Sequence, residues 1–175
     1  MALAWKEYER TIAKALGAWF ECVFRRTPGS GAWGKQGQSR HSTSHDATGD
    51  FHGDIVAPPE AMFPFSVECK CYKTVNLYLS LYGKSEIFEW WIQCAADARA
   101  HHKAPMLVFK ENNKKPLVAI SDKTFQQLNR VKKLKTIRRM TLSYDTKFGP
   151  RSFHIFHFSE FLLAVPCKYI KMFVR

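Results

Sequence analysis

The stretch FSVECKCY, residues 65–72, alternates apolar and polar side chains along its whole length. A β-strand points successive side chains to opposite sides, so this alternation predicts a strand with one apolar face and one polar face. The polar face carries Glu68 and Lys70, which lie roughly 7 Å apart along a strand. The pattern therefore predicts a strand that packs into the core on one side and presents an acid and a lysine to a cleft on the other.

A second acid lies upstream of this strand. Asp54 stands in the stretch GDIVAP, where it introduces another apolar strand after Gly53. The connection PPEAMFP between the two strands is short and contains proline, so neighbouring strands would bring Asp54 and Glu68 together. Two carboxylates at one point repel each other unless a cation lies between them. Because hard oxygen ligands favour Mg²⁺, with Mn²⁺ as a substitute, the sequence predicts a divalent metal site.

Lys70 completes the predicted site. A bound divalent cation can hold a phosphodiester oxygen and lower the pKa of a water molecule. The Lys70 ammonium can orient that water and offset negative charge in the transition state. Asp54, Glu68 and Lys70 together therefore indicate a Mg²⁺-dependent phosphodiesterase centre, and no small-molecule cofactor is expected.

The first predicted helix contributes one more candidate. The sequence LAWKEYERTIAKAL, residues 3–16, places apolar side chains at helical spacing. Glu9 falls on the apolar stripe between Trp5 and Ile12, whereas Glu7 falls on the polar side. A carboxylate on a core-facing stripe is costly without a partner. We therefore expect Glu9 to border the metal site, where it is a further candidate ligand.

The charge balance indicates the class of partner. Lysine and arginine number 27 against 15 aspartates and glutamates, which gives a net charge of +12. A polyanion relieves this self-repulsion, and nucleic acid does so by releasing counterions from its phosphates. The densest basic run, NRVKKLKTIRR at residues 129–139, is either a solvated face or a surface that follows DNA phosphates. Its candidate DNA contacts are Lys132, Lys133, Lys135, Arg138 and Arg139.

The order of predicted elements defines the fold class. A helix, three strands, a helix at residues 85–100 with Ser85 as its N-cap, and further strands predict an α/β fold with a mixed central β-sheet flanked by helices. WFECVFRR, residues 19–26, is predicted as the first strand, and PMLVFK and PLVAI as a hairpin. Trp90 and Trp91 give their helix a wide apolar arc, which is typical of a helix that is either deeply buried or shared with a partner. We favour a contact with a partner subunit, with stacking on single-stranded nucleic acid as an alternative. The 175 residues are expected to form one domain.

Residues 31–52 interrupt the predicted strands with a stretch dominated by glycine, serine, threonine and histidine. Loops of this length are uncommon inside a compact domain and are usually functional or mobile. We expect a mobile insertion that contacts DNA through cations such as Lys35 and Arg40. His41 and His45 have a metal-binding spacing only on a helix, so the loop composition argues against a zinc site.

Other features argue against a membrane protein and against a disulfide-stabilised one. No apolar run approaches the roughly 20 residues of a spanning helix, and MALAWKEYER becomes charged too early for a secretory signal. The five cysteines include no CxxC pair and are odd in number, which argues against a disulfide framework and a zinc ribbon. We therefore expect an intracellular protein, in the cytoplasm or nucleoid, or in the host cytoplasm if the source is viral.

Taken together, these motifs resemble the PD-(D/E)XK nuclease superfamily, in which Asp54, Glu68 and Lys70 would be the two motif acids and the lysine. Within it, the chain resembles the archaeal-type Holliday junction resolvases over about residues 5–120. The matching stretches, in order, are YERTIAKAL, RRTPGSG, GDIVA, VECKCYK and NLYLSLYGK, followed by the helix that leads to APMLVFK. Each motif is short, but their shared order is more specific than any one of them.

The resemblance implies a restriction-endonuclease-like fold and a homodimer whose two active sites nick opposing strands of a four-way DNA junction. It also implies divalent-metal hydrolysis that leaves 5′-phosphates. The metal ligands would be Asp54, Glu68 and the backbone carbonyl of Cys69, with Lys70 and Glu9 catalytic. The residues that would contact DNA are Arg10, Arg26 and Ser30 in the motifs, together with Lys84 at the end of NLYLSLYGK.

The chain departs from these resolvases between PGSG and GDIVA, where the insertion at residues 31–52 intervenes. Asp46 and Asp50 consequently remain alternatives to Asp54, which alone directly precedes an apolar strand. Two other functions also remain open. One is another DNA nuclease of the same superfamily, of restriction or repair type, and the other is a non-catalytic nucleic-acid-binding module whose acids are structural.

Overall fold

The computed structural model describes residues 2–27, 53–129 and 132–172, which build a layered α/β structure on one mixed β-sheet. Its strands are β1 Arg25–Arg26, β2 Ile55–Val56, β3 Phe65–Tyr72, β4 Ala104–Glu111, β5 Leu117–Ser121, β6 Arg139–Thr146 and β7 Gly149–His157. They lie side by side in the order β1-β2-β3-β4-β5-β7-β6. Among these strand pairs β3 and β4 are parallel and the others antiparallel. The predicted α/β class with a mixed sheet is confirmed.

Helices connect the strands, and the two helices that begin at Glu86 and Asp122 are capped by serine side chains. Ser85 Oγ accepts a hydrogen bond from the Ile87 N–H at 3.4 Å, and Ser121 Oγ accepts one from the Thr124 N–H at 3.1 Å. The Ser85 cap was predicted and is confirmed. The helices are α1 Ala2–Phe20, α2 Glu86–Ala100, α3 Asp122–Leu128, α4 Lys132–Thr136, α5 Phe158–Ala164 and α6 Cys167–Lys171, with short 3-10 helices at Pro59–Ala61 and Leu77–Tyr82.

The sheet has an apolar cluster on each face. Val67 and Cys69 of β3 are fully buried in the cluster that includes α1 and α5. Leu107 and Phe109 of β4 are buried in the opposite cluster, which includes α2. Because parallel strands need a long crossover between them, α2 links β3 to β4 across this second face. Strand β3 is therefore held between helices, and its side chains have well-defined surroundings.

The prediction of a strand over residues 19–26 is wrong for most of its length. Helix α1 continues to Phe20, which is buried, and only Arg25–Arg26 is a strand. The helix runs through Gly17, where a Cβ would lie 2.8 Å from the Cys22 carbonyl oxygen, so glycine permits the chain to fold back there. Short aromatic and apolar runs are compatible with both a strand and a buried helix turn, which explains the error.

The tryptophans of α2 are buried inside this chain, so the prediction that they contact a partner subunit is wrong. Trp91 stacks on Phe153 of β7 with ring centroids 4.7 Å apart, and its Nε1–H donates to the Tyr144 hydroxyl at 3.3 Å. Trp90 packs against Tyr72 and Phe109. The wide apolar arc reflects a helix that covers the sheet. No helix within the described ranges is long and apolar enough to span a bilayer.

Candidate active site

The candidate active site lies at the edge of β3 where the short strand β2 ends. Strand β2 pairs with β3 only through Ile55 and Val67. Alternate residues of a strand direct their N–H and C=O groups to alternate edges, so Cys69 is the next residue to face this side. The Cys69 N–H donates to Asp54 Oδ2 at 2.8 Å. A carboxylate thus takes the place of the missing strand, and the Cys69 carbonyl faces the same edge.

A turn at Gly53 brings Asp54 to this position. Gly53 has a φ of 78°, and a Cβ there would lie 2.3 Å from the Val67 carbonyl oxygen, so only glycine fits. The Asp54 N–H donates to that same oxygen at 2.8 Å. From the other side, Thr27 donates its N–H to the Asp54 carbonyl at 2.9 Å and its hydroxyl to the Gly53 carbonyl at 2.8 Å. The turn is therefore fixed on both sides, and Asp54 is buried.

Glu68 and Lys70 lie next to each other on β3, as the alternation predicts. Lys70 Nζ is 2.8 Å from Glu68 Oε1, and both side chains are largely shielded from solvent. Glu68 is paired with Leu107 and Lys70 with Phe109 in β4, which places them on the α2 side of the sheet. Val67 and Cys69 are buried on the other side. The predicted division of β3 into a core face and a polar face is confirmed.

Glu9 is fully buried, at 0% exposure, whereas the Glu7 side chain is 70% exposed, as the helical pattern predicts. The Trp5 indole N–H donates to Glu9 Oε1, and the Arg26 Nε–H donates to Glu9 Oε2. The ion pair with Arg26 compensates a buried carboxylate that would otherwise be costly. Glu9 therefore joins helix α1 to strand β1 beside the metal site predicted from the sequence.

The electrostatics of the site centre on Asp54. Burial raises the pKa of the Asp54 carboxyl to about 7, with further contributions from the nearby Glu68 and Glu9 carboxylates. The hydrogen bond from Cys69 and the Lys70 ammonium act in the opposite direction but do not cancel the effect. The protein therefore holds negative charges together at a cost, which is typical of a site that binds a cation or reacts.

In contrast to Asp54, Lys70 is stabilised in its charged form by its neighbours. Burial disfavours its ammonium form, but the Glu68 carboxylate and its hydrogen bond outweigh burial, so the pKa of Lys70 is raised above its ordinary value. Lys70 therefore remains an ammonium at neutral pH in this arrangement. It is suited to donating hydrogen bonds and stabilising negative charge, and less suited to accepting a proton.

The residues present fit a hard divalent cation. Asp54 and Glu68 repel each other, and a cation between them would remove the penalty that raises the pKa of Asp54. Within the described ranges, no three side chains of His, Cys, Asp or Glu come together as a complete metal cage. Two carboxylates and the Cys69 carbonyl would leave room for water ligands, which Mg²⁺ usually retains.

The structure separates the predicted DNA contacts. Arg26 lies at the site through Glu9, and Arg10 is exposed on α1 and pairs with Glu7 at 3.3 Å. Lys84 is exposed before α2, whereas Arg138 is exposed just before β6, the strand at the opposite edge of the sheet. Ser30, Lys35, Arg40, His41, His45, Asp46 and Asp50, with the whole insertion at 31–52 and the side chains of Lys132 and Lys133, lie outside the described residues.

Two positioning residues were not identified from the sequence. Trp5 was assigned only to the apolar stripe, yet its indole N–H binds Glu9. Its spacing of four residues from Glu9 on a helix was a usable signal. Thr27 fixes the turn before Asp54 across a sequence separation of 26 residues, for which no local pattern exists.

A mixed sheet flanked by helices, with two acids and a lysine at the edge of one strand, defines a restriction-endonuclease-like fold of the PD-(D/E)XK superfamily. The chain belongs to the family described as "Phage putative PDDEXK endonuclease", whose model matches residues 6–171.

The chain is also similar to protein D14 of Escherichia phage T5. The two are 32% identical over 101 residues, which cover 55% of this chain and 56% of D14. The chain thus spans about half the length of this curated relative. No solved structure was found to match the chain.

Proposed function

We propose that this protein is a Mg²⁺-dependent DNA endonuclease that resolves four-way junctions as a homodimer, with paired nicks that leave 5′-phosphates. Mn²⁺ is expected to replace Mg²⁺. The observation that carries the nuclease mechanism is the meeting of Asp54 and Glu68 at one edge of β3, with Lys70 bound to Glu68 at 2.8 Å. The order of motifs shared with archaeal-type resolvases and the net charge of +12 support junction DNA as the substrate.

Each side chain has a distinct part in the proposed reaction. Asp54, Glu68 and the Cys69 carbonyl would hold the cation, with Glu9 as a further candidate beside them. When bound, the cation would supply positive charge next to the scissile phosphate and favour deprotonation of the attacking water. Lys70, oriented by Glu68, would donate a hydrogen bond to that water or to the developing negative charge.

Glu9 and Arg26 have a supporting part. Because Arg26 Nε–H is bound by the Glu9 carboxylate, its guanidinium is held in one orientation next to the site. A fixed guanidinium recognises a phosphate with two parallel hydrogen bonds at little further cost in side-chain entropy. We propose that Arg26 positions the backbone phosphate beside the scissile bond.

The homodimer follows from the proposed product. One site per chain cuts one strand, so paired nicks in opposing strands require two copies related by symmetry. Trp90 and Trp91 do not supply the interface, because they are buried within the chain. Sedimentation of the intact protein tests whether it forms the proposed dimer.

A cleavage assay on four-way junctions, flaps and linear duplexes of matched sequence tests the proposal. We expect cleavage in Mg²⁺ or Mn²⁺, preference for the junction, and symmetric nicks with 5′-phosphate ends. Equal or faster cleavage of linear duplex identifies a nuclease of restriction or repair type instead. Binding without cleavage in either metal identifies a non-catalytic nucleic-acid-binding module.

A further inference from the structure

The 3-10 helix Leu77–Tyr82, which follows strand β3 in the chain, exposes a group of large aromatic and apolar side chains. Tyr78 and Tyr82 are 63% and 59% exposed, and Leu81 is exposed between them. Single exposed apolar residues are normal on protein surfaces, but a group within one short segment indicates a contact surface. This segment therefore needs a partner to explain it.

The segment is held firmly, although its tyrosines face solvent. Its start is fixed by Val75, whose N–H donates to Glu111 Oε2 at 3.1 Å, and by Asn76, whose Oδ1 accepts from the Leu79 N–H at 3.4 Å. Gly83 closes it in the left-handed conformation, with a φ of 67°. A surface fixed in this way loses little conformational entropy when it binds.

The two tyrosine rings lie next to each other on this surface. Their hydroxyl groups lie 3.0 Å apart, and their ring centroids are separated by 5.5 Å at an interplanar angle of 63°. Each ring is more than half exposed. Both rings therefore have accessible surface on which a planar group can stack.

The segment continues the active-site face of β3. Tyr72 follows Lys70 by two residues on the same face and packs on Trp90 of α2 at 4.6 Å. Val75 and Leu77 pack against the same apolar cluster as Trp90, so the tyrosines follow on the α2 side of the sheet. From Glu68 to Tyr72 the strand rises roughly 13 Å, which a strand of DNA covers within a few nucleotides.

The charges around the tyrosines favour a polyanion. Lys73 precedes the segment and Lys84 follows it, and both are exposed. Within the described ranges neither lysine forms an ion pair with a carboxylate. Aromatic rings between available cations are typical of surfaces that stack nucleobases and bind the adjoining phosphates.

We propose that Tyr78 and Tyr82 form a stacking surface for unpaired nucleobases of the DNA strand that leaves the active site, while Lys73 and Lys84 bind the adjoining phosphates. This proposal rests on the proposed function and names a subsite for it. Stacking needs a base with a free face, which a branch point or a single strand offers and an intact duplex does not. The surface therefore favours branched DNA without reading its sequence.

The test measures DNA binding without divalent metal, so that no strand is cut. The variant Tyr78→Ser/Tyr82→Ser removes both rings, and Tyr78→Phe/Tyr82→Phe keeps the rings and removes the hydroxyl groups. Phe148→Ser is the matched control. Phe148 is an exposed aromatic residue at the turn between β6 and β7, and β6 lies at the edge of the sheet, several strands away from β3. The probes are a four-way junction, a single-stranded oligonucleotide and a linear duplex.

We expect the double serine variant to bind the junction and the single strand about tenfold more weakly. The double serine variant should bind linear duplex as tightly as the wild type does. The double phenylalanine variant and Phe148→Ser should bind all three probes with wild-type affinity. The dependence of affinity on salt should be unchanged in the serine variant, because no phosphate contact is lost. Lys84→Gln should instead reduce the slope of log affinity against log salt by about 0.7 to 0.9.

Three results overturn the proposal. One is wild-type affinity of the double serine variant for the junction and the single strand, with its melting temperature unchanged. The second is conversion of a dimer to a monomer in sedimentation with DNA affinity retained, which identifies the surface as a contact between two copies. If the double variant does not fold, Tyr82→Ser alone is measured against Tyr82→Phe, and equal affinities of these two also overturn it.

Failure of the proposed function has a different signature. A wild-type protein that neither binds nor cuts any of the DNA probes in Mg²⁺ overturns the nuclease proposal together with this one. A wild-type protein that cuts junctions while the serine variant binds them normally overturns the stacking surface alone.

Discussion

Two buried polar clusters occupy opposite ends of the sheet and differ in how their charges are balanced. At β3, burial raises the pKa of Asp54 to about 7, and repulsion from the nearby Glu68 and Glu9 carboxylates adds to this effect. At the β7 end, buried His154 contacts Asp122 Oδ1 at 2.9 Å and Thr141 Oγ1 at 3.0 Å. Both ring nitrogens of His154 have a hydrogen-bond partner. At β3, by contrast, the Asp54 carboxylate is buried among other carboxylates that repel it.

The balance of charge in each cluster indicates which buried polar group belongs to a functional site. His154 packs on the Phe125 ring with centroids 4.3 Å apart, and its partner Asp122 is half-exposed and remains solvated. Such a cluster contributes stability and specificity to the fold. In the β3 cluster, burial and repulsion oppose ionisation of Asp54, which is typical of a site that binds a cation or reacts.

The largest expected effect is the loss of cleavage in Glu68→Gln. The substitution keeps the shape of the side chain and its hydrogen bond with Lys70 but removes the charge that would hold a divalent cation. We expect cleavage of a four-way junction to fall by about a thousandfold or more, with DNA binding retained. Single-turnover cleavage in Mg²⁺ and binding without metal measure the two quantities.

Asp122→Asn is the matched control for that prediction, because it makes the same kind of change in the other cluster. It should leave cleavage unchanged, since Asp122 contacts His154 and Gln126 and lies far along the sheet from Glu68. Equal losses of cleavage in both variants would contradict the separation of the clusters. Cleavage that persists in Glu68→Gln would contradict the site assignment.

The second prediction concerns stability and pH in Asp54→Asn. The pKa of Asp54 is about 7 in the folded protein and 3.8 in the unfolded chain. Between these two pH values the folded protein holds a proton on Asp54 that the unfolded chain has lost. Its contribution to stability is therefore fully present below about pH 4 and is lost as the pH rises through 7. The amide has no such dependence but can still accept the Cys69 N–H.

Above pH 7 and without divalent metal, Asp54→Asn should therefore be more stable than the wild type. The difference in the free energy of unfolding between the two proteins should be at most about 4 kcal/mol, at 1.36 kcal/mol per pKa unit. This difference should shrink as the pH falls towards 4. Urea unfolding of both proteins across this range measures it. Added Mg²⁺ should stabilise the wild type and not the variant, and a gap independent of pH would contradict the assigned pKa.

How far the sequence predicted these features depends on the range of the contacts. The alternation in FSVECKCY placed Glu68 and Lys70 on one face, and the helical period placed Glu9 inward, because both patterns are local. The ion pair between Glu9 and Arg26 joins residues that are 17 positions apart in the sequence, and its formation depends on how α1 packs on β1. The His154 cluster draws on α3, β6 and β7, so nothing near His154 in the sequence predicted it.

Two errors have the same physical origin. Residues 19–26 and the tryptophans of α2 are dense in aromatic side chains, and such density indicates burial without saying against what. In the first case the aromatics extend a helix, and in the second they cover the sheet of the same chain. Only the packing of distant strands decides between these alternatives.

The third prediction moves the perturbation to the satisfied cluster. His154→Ala removes contacts to Asp122 and Thr141 and the ring packing on Phe125. We expect the free energy of unfolding to fall by about 3 kcal/mol, with cleavage unchanged at temperatures where the variant is folded. Chemical denaturation and the junction assay measure these separately. Lost cleavage in a fully folded variant would place His154 in the catalytic machinery and contradict its assignment to a structural cluster.

The smallest expected effect is in Thr141→Val, which keeps the branched shape of the side chain and removes the hydroxyl group 3.0 Å from His154 Nδ1. Because the Asp122 contact remains, we expect a loss of about 1 kcal/mol in the free energy of unfolding. Ser143→Ala is the control, since the Ser143 hydroxyl pairs with Ser152 in an exposed position and its loss should cost less. A variant with both Thr141→Val and His154→Ala should be about as stable as His154→Ala alone, because the hydroxyl acts through the ring. If the decreases in the free energy of unfolding of the two single variants instead add in full, the Thr141 hydroxyl does not act through His154. That result would contradict a single hydrogen-bonded cluster around His154.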